Sequence, residues 1–132
     1  MGINILVVDD SKIIRGVITK TLNLSGVDIG NIYEANNGKE ALEVLKNNWV
    51  DLILTDINMP EMNGVELIEE INKDDILKTI PIAIISTEGS QTRVEELKSK
   101  GVKAYLRKPF TPESLKKMII DLLNLKEGER ND

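Results

Sequence analysis

The chain has 132 residues, 41% hydrophobic and 30% charged, which is the profile of one soluble domain with its own core. It contains neither cysteine nor histidine, which excludes disulfides, thiol chemistry, imidazole metal ligands and a phosphohistidine carrier. A formal net charge of -5 argues against nucleic acid or an anionic membrane surface as partner, and no apolar stretch reaches the roughly 18 residues of a membrane span.

In chain order, Ile3 to Val8 is a continuous aliphatic run and is predicted as a strand. A helix follows from Ser11, a natural N-cap, to about Ser25, with Ile14, Val17, Ile18 and Leu22 expected on its inner face and Gly26 as its stop. Ile32 to Ala35 reads as a short second strand. Asn37-Gly38 turns the chain into a helix from about Lys39 to Lys46, which buries Ala41, Leu42 and Leu45. Leu52 to Thr55 is the third strand and ends at Asp56. Asn58 to Gly64 (NMPEMNG) is loop by composition, and Val65 to about Asn72 is the third helix. Pro81 to Ser86 is the fourth strand, with its proline at the first position, where a missing N–H is tolerated. Ser90 to Lys100 is helical, with Gly101 as its stop. Lys103 to Arg107 is the fifth strand. The last helix opens with Thr111 as cap and Pro112 in the first turn, and is expected to bury Leu115, Met118, Ile119, Leu122 and Leu123. The domain is expected to span residues 1–126, with a polar, frayed tail over 127–132.

The order is therefore (βα)5. Strands that are apolar without alternation are covered on both faces, which implies a parallel sheet between two helical layers. Ligands of such sheets sit beyond the C-terminal strand ends. Asp9 and Asp10 end the first strand, Asp56 the third, Ser86 and Thr87 the fourth, and Lys108-Pro109 the fifth. Three carboxylates on one rim repel, by roughly 4 kcal/mol per pair at ~4 Å and an effective dielectric of 20. Lys108 supplies one compensating charge. With only oxygen donors present, a divalent cation completing the compensation is hard: Mg2+, or Mn2+ in its place. Such a rim suits a phosphoryl group, with an aspartate to attack it and a hydroxyl and a lysine to hold it. Each group also has an ordinary structural role open to it: Ser11, Ser86 and Thr87 as caps, Asp56 as a turn residue, Lys108 as a solvated strand end, Tyr105 as packing. It is their convergence from four separate strand ends that favours chemistry.

The segments VVDDS, LTDINMPEMNG, PIAIIST and YLRKPFTPE resemble, in combination, the receiver domain of two-component response regulators, within it the single-domain CheY-like chemotaxis type. The resemblance covers about residues 3 to 125. It implies a flavodoxin-like three-layer sandwich with strand order 2-1-3-4-5, an order taken from the resemblance. It implies that Asp56 accepts the phosphoryl group. Asp9 and Asp10 hold Mg2+ together with Asp56 and the backbone carbonyl of Asn58. Ser86 is the switch hydroxyl, Lys108 contacts the phosphoryl oxygen through a segment whose Lys108–Pro109 bond is cis, and Tyr105 is the aromatic switch. Asn58 and Glu88 flank the attacking water and tune self-dephosphorylation. Arg107 departs from the family pattern, standing where an aliphatic residue is common.

The implied protein is a cytoplasmic monomer and not a classical enzyme. A CheA-like histidine kinase is the phosphodonor. A flagellar switch or another downstream protein reads the surface of the fourth helix, fifth strand and fifth helix, and a chemotaxis phosphatase is a further partner. Three rivals remain at this point: a Mg2+-dependent phosphatase or phosphotransferase with an aspartate nucleophile, a flavin-mononucleotide binder of the same fold class, and a phosphate-independent adaptor.

Overall fold

The structure, a computed structural model, describes residues 2–87 and 90–123. Strands β1 (Ile3–Val8), β2 (Ile29–Ala35), β3 (Leu52–Thr55), β4 (Ile82–Ser86) and β5 (Ala104–Arg107) alternate with helices α1 (Lys12–Leu24), α2 (Gly38–Asn47), α3 (Gly64–Asn72), α4 (Gln91–Ser99) and α5 (Pro112–Leu123). All four strand pairings are parallel. The sheet order is β2-β1-β3-β4-β5.

The aliphatic strands explain the layering. In β1, Leu6 and Val8 face one core and Ile5 and Val7 the other. β3 and β4 repeat this, with Ile53, Ile82 and Ile84 on the first face and Leu52, Leu54, Ala83 and Ile85 on the second. The first core is closed by α2, α3 and α4 through Ala41, Leu45, Leu67, Ile68, Ile71 and Leu97. The second is closed by α1 and α5 through Ile18, Leu22, Leu115, Met118 and Ile119. Each fully buried Ile or Leu is worth roughly 1.5–3 kcal/mol, so both faces of β1 contribute to holding the sheet.

The helix starts follow their caps. The Ser11, Asn37, Asn63 and Ser90 side chains accept from backbone N–H groups in the first turns of α1, α2, α3 and α4. Asn63 and Glu66 form a reciprocal capping box. Thr111 Oγ1 accepts from Ser114 N, which caps α5. α1 is followed by Gly26 at φ 85 and α4 by Gly101 at φ 101, left-handed positions that suit glycine.

Two expectations need correction. Val17 does not face inward: it is 50% exposed, and Ile13 is 79% exposed, so α1 carries an outward apolar patch beside the buried register of Ile18 and Leu22. β2 begins at Ile29 rather than Ile32: Ile29 pairs with Ile3 and packs on the second core, and Gly30-Asn31 interrupts the apolar pattern without ending the backbone ladder. Leu122 and Leu123 are partly buried against the second core. The expected boundary at residue 126 and the tail lie outside the described residues. Among the described residues, no helix is long and apolar enough to cross a membrane.

Candidate functional site

Parallel pairing brings the ends of β1, β3, β4 and β5 to one edge. The N–H of Asp56 donates to the Val8 carbonyl at 2.9 Å, and the N–H of Lys108 to the Ser86 carbonyl at 2.9 Å, so neighbouring strand ends are tied before any side chain acts. Asp9, Asp10 and Asp56 each place a carboxylate oxygen within 4.8 Å of the other two. Asp9 is buried, Asp56 half-buried and Asp10 exposed.

Asp9 is the most constrained of the three. Its Oδ1 accepts the Ser11 N–H at 2.9 Å, and its Oδ2 pairs with Lys108 Nζ at 3.1 Å. Lys108 Nζ also lies 3.7 Å from Asp56 Oδ2. Asp56 Oδ1 accepts the Ile57 N–H at 2.7 Å, and the Ser86 side chain hydrogen-bonds the Asp56 carboxylate. Burial raises the Asp56 carboxyl above the ordinary aspartate range. The Ile57 N–H and Lys108 pull it down, Asp9 pushes it up, and the Ser86 hydrogen bond lowers it, with burial prevailing. The side chains of Asp56 and Lys108 are only 16% and 14% exposed, so water screens these charges weakly.

Ser86 is buried and Thr87 exposed. Asn58 is exposed in the loop after Asp56. The Lys108–Pro109 peptide bond is cis, and Arg107 projects from the exposed end of β5. Tyr105 is partly buried against the first core, paired in register with Ile84. Glu88 lies outside the described residues.

Two contributors were not selected from the sequence. Gly64 opens α3 directly against the backbone of Asp56: a Cβ there would collide with the Asp56 carbonyl oxygen and approach Ile57 Cα to 3.0 Å. Its N–H donates to the Ile57 carbonyl at 2.7 Å. Arg15 is 7% exposed, and its guanidinium reaches the carbonyl of Asp9. Its spacing to Ile18 and Leu22, three and seven residues, is the signal that a charge sits in a buried register.

A family model described as "Response regulator receiver domain" matches residues 5–120. The chain belongs to that family. The receiver is 41% identical over 126 residues to a chemotaxis protein CheY homolog of Campylobacter jejuni, covering 95% of each chain. It is 42% identical over 116 residues to chemotaxis protein CheY1 of Helicobacter pylori, covering 87% of this chain and 92% of the relative. Chemotaxis protein CheY4 of Vibrio cholerae superposes with a TM-score of 0.83 at 34% identity, over 93% of this chain and 100% of the other.

Receivers of this family bind Mg2+ at an acidic pocket, and the residues here fit that ion. The donors are all oxygens, they converge within 4.8 Å, and two of the three carboxylates, Asp9 and Asp56, face the Lys108 ammonium. Asp10 is the exposed member of the three.

Proposed function

We propose that this receiver is a phosphorylation-activated signalling switch of a chemotaxis-type two-component pathway, and that Asp56 carries the phosphoryl group. The observation that supports this most strongly is the state of Asp56. It is a half-buried carboxylate held against Lys108, Ser86 and two further carboxylates at the open edge of a parallel sheet.

Phosphoryl transfer demands positioning and charge neutralisation more than covalent assistance. A carboxylate oxygen of Asp56 attacks phosphorus in line. The bond to the donor breaks, and its electron pair leaves with the donor: imidazole from a histidine kinase's phosphohistidine, or acetate from acetyl phosphate. The product is an acyl phosphate on Asp56. The Ile57 N–H fixes the carboxylate's orientation at 2.7 Å, so little rotational freedom is lost on the way to the transition state. The Lys108 ammonium, already 3.7 Å from Asp56, moves its charge onto a phosphoryl oxygen. The Ser86 hydroxyl hydrogen-bonds another. Mg2+ bound by Asp9, Asp10, Asp56 and the Asn58 carbonyl would neutralise the remaining charge of the transferring group.

The switch follows from what the modification withdraws. Lys108 and Ser86 change partners from the Asp56 carboxylate to phosphoryl oxygens. Ser86 ends β4 and Lys108 follows β5, tied by the Lys108 N–H to the Ser86 carbonyl, and the β4–β5 register also carries Tyr105 opposite Ile84. A shift of Ser86 is therefore transmitted to Tyr105 and to the surface of α4, β5 and α5, where the downstream protein binds. This is a bias between two states of one fold. Hydrolysis returns Asp56 and inorganic phosphate, which makes the signal short-lived, and Asn58 and Glu88 are the residues assigned to tune its rate. The kinase is CheA-like, the reader a flagellar switch or similar protein, and a phosphatase shortens the signal further.

The test is intact mass after incubation with acetyl phosphate. Wild type gains one phosphoryl group with Mg2+ and none with EDTA, and Asp56→Asn gains none. Gain in both proteins, or in neither, refutes the proposal.

A further inference from the structure

Arg15 is a buried cation for which phosphoryl transfer has no use. It lies one helical turn after the Ser11 cap, at 7% exposure. Its Nη1 donates to the Asp9 carbonyl oxygen at 2.6 Å and to Asn36 Oδ1 at 2.7 Å. Its Nε donates to Glu34 Oε1 at 2.8 Å. One guanidinium thus joins the end of β1, the end of β2 and the loop that leads into α2.

The partner atom on β1 matters most. The Asp9 carboxylate is already fixed by the Ser11 N–H and Lys108. Arg15 instead grips the carbonyl of the Asp9–Asp10 peptide. That peptide plane sets the direction in which Asp10 leaves the strand. Asp10 is the exposed carboxylate of the three, so burial does not orient it. The same Nη1 also donates to Asn36 Oδ1 and Nε donates to Glu34 Oε1, so three contacts fix the plane of the guanidinium that holds the carbonyl.

We propose that Arg15 is a positioning residue that orients the Asp9–Asp10 peptide and thereby sets the affinity of the acidic rim for Mg2+. The proposal rests on the reading of that rim as a Mg2+ site. It has a sign that separates it from simple charge effects. Removing a positive charge near three carboxylates strengthens Mg2+ binding by Coulomb's law alone. Losing the positioning weakens it.

Arg15→Lys keeps the charge and loses the fork; Arg15→Gln loses both. Isothermal titration with Mg2+ alone reads the affinity of the folded protein, and a urea titration in EDTA reads stability separately. The expected result is a Kd for Mg2+ raised roughly 10-fold or more in Arg15→Gln, within the 10–100-fold range seen when a group supporting a ligand is lost. Arg15→Lys falls between Arg15→Gln and wild type. In acetyl phosphate kinetics the loss lies in the Mg2+ half-saturation more than in the maximal rate. Unchanged or tighter Mg2+ binding in both variants, with stability alone reduced, overturns the proposal. Asp10→Asn is the reference. If wild type and Asp10→Asn bind Mg2+ alike, the rim is not the metal site and the underlying reading falls, with this proposal. If Asp10→Asn is impaired and both Arg15 variants bind like wild type, only the role of Arg15 falls.

Discussion

Lys108→Met isolates the electrostatics of the rim. Lys108 Nζ is 3.1 Å from Asp9 Oδ2 and 3.7 Å from Asp56 Oδ2. At an effective dielectric of 20 these separations correspond to roughly 5 and 4.5 kcal/mol of attraction. Burying the ammonium offsets several kcal/mol of that. Methionine keeps most of the stem's apolar packing and removes the charge, leaving the carboxylate of Asp9, a residue at 2% exposure, without its ion-pair partner. Breaking a buried pair on one side costs ~3–5 kcal/mol. Protonation of a carboxylate caps the loss, so about 3 kcal/mol is expected at neutral pH in EDTA. Urea denaturation measures it directly. Added Mg2+ then replaces the missing cation. Stabilisation by a ligand grows as RT ln(1 + [L]/Kd), so Mg2+ stabilises the variant more than it stabilises wild type. A variant within about 0.5 kcal/mol of wild type in EDTA, the usual spread for a neutral surface change, refutes this reasoning. So does an equal Mg2+ increment in the two proteins.

Three further outcomes follow from the same geometry. Asp56→Asn stabilises the metal-free protein at neutral pH by on the order of 1 kcal/mol, because it removes a buried charge. Since the Asp56 carboxyl is raised in the fold, its contribution favours the native state at pH below the ordinary aspartate value and is lost as pH rises through the raised one. The stability gap between variant and wild type, measured by urea titration across pH, therefore closes on acidification; a gap that widens contradicts it. Gly16→Ala stabilises the protein by roughly 0.5–1 kcal/mol, because nothing lies within 4 Å of the added Cβ on this mid-helix position. Its acetyl phosphate labelling matches wild type; a lowered thermal midpoint contradicts the reading. Gly64→Ala pushes α3 off the Asp56 backbone and lowers stability by ~1–3 kcal/mol, with slower labelling; a silent substitution in both assays contradicts the contact.

Much of the fold is legible because β1, β3 and β4 are apolar on both faces and alternate with amphipathic helices, the pattern of a parallel sheet covered on both sides. Asp9, Asp10, Asp56, Ser86 and Lys108 are legible because each stands at the C-terminal end of such a strand. The order of strands is not written in their periodicity and came from resemblance. Val17 misleads because its spacing to Ile14 and Ile18 places it at the margin of the buried face, and the sequence does not say how far α5 wraps α1. The Lys108–Asp9 pair spans 99 residues of sequence, so nothing local announces that Lys108 sits nearer Asp9 than Asp56. Arg15 was legible in principle, as a charge in the register of Ile18 and Leu22. Its partners, the carbonyl of Asp9 and the side chains of Glu34 and Asn36, become visible only when β1 and β2 lie side by side. Gly64 reads as a loop end, and only the fold shows that Asp56 lies against it.

The proposed phosphoryl acceptor is Asp56 and no other residue of the rim. Borohydride reduces an aspartyl phosphate to homoserine and leaves phosphorylated serine or threonine unreduced. Labelling wild type with acetyl phosphate and Mg2+, reducing with borohydride and mapping peptides by mass reads the position directly. Homoserine at position 56 alone is the expected result. Homoserine at position 9 or 10, or an unreduced phosphoryl group on Ser86 or Thr87, contradicts it.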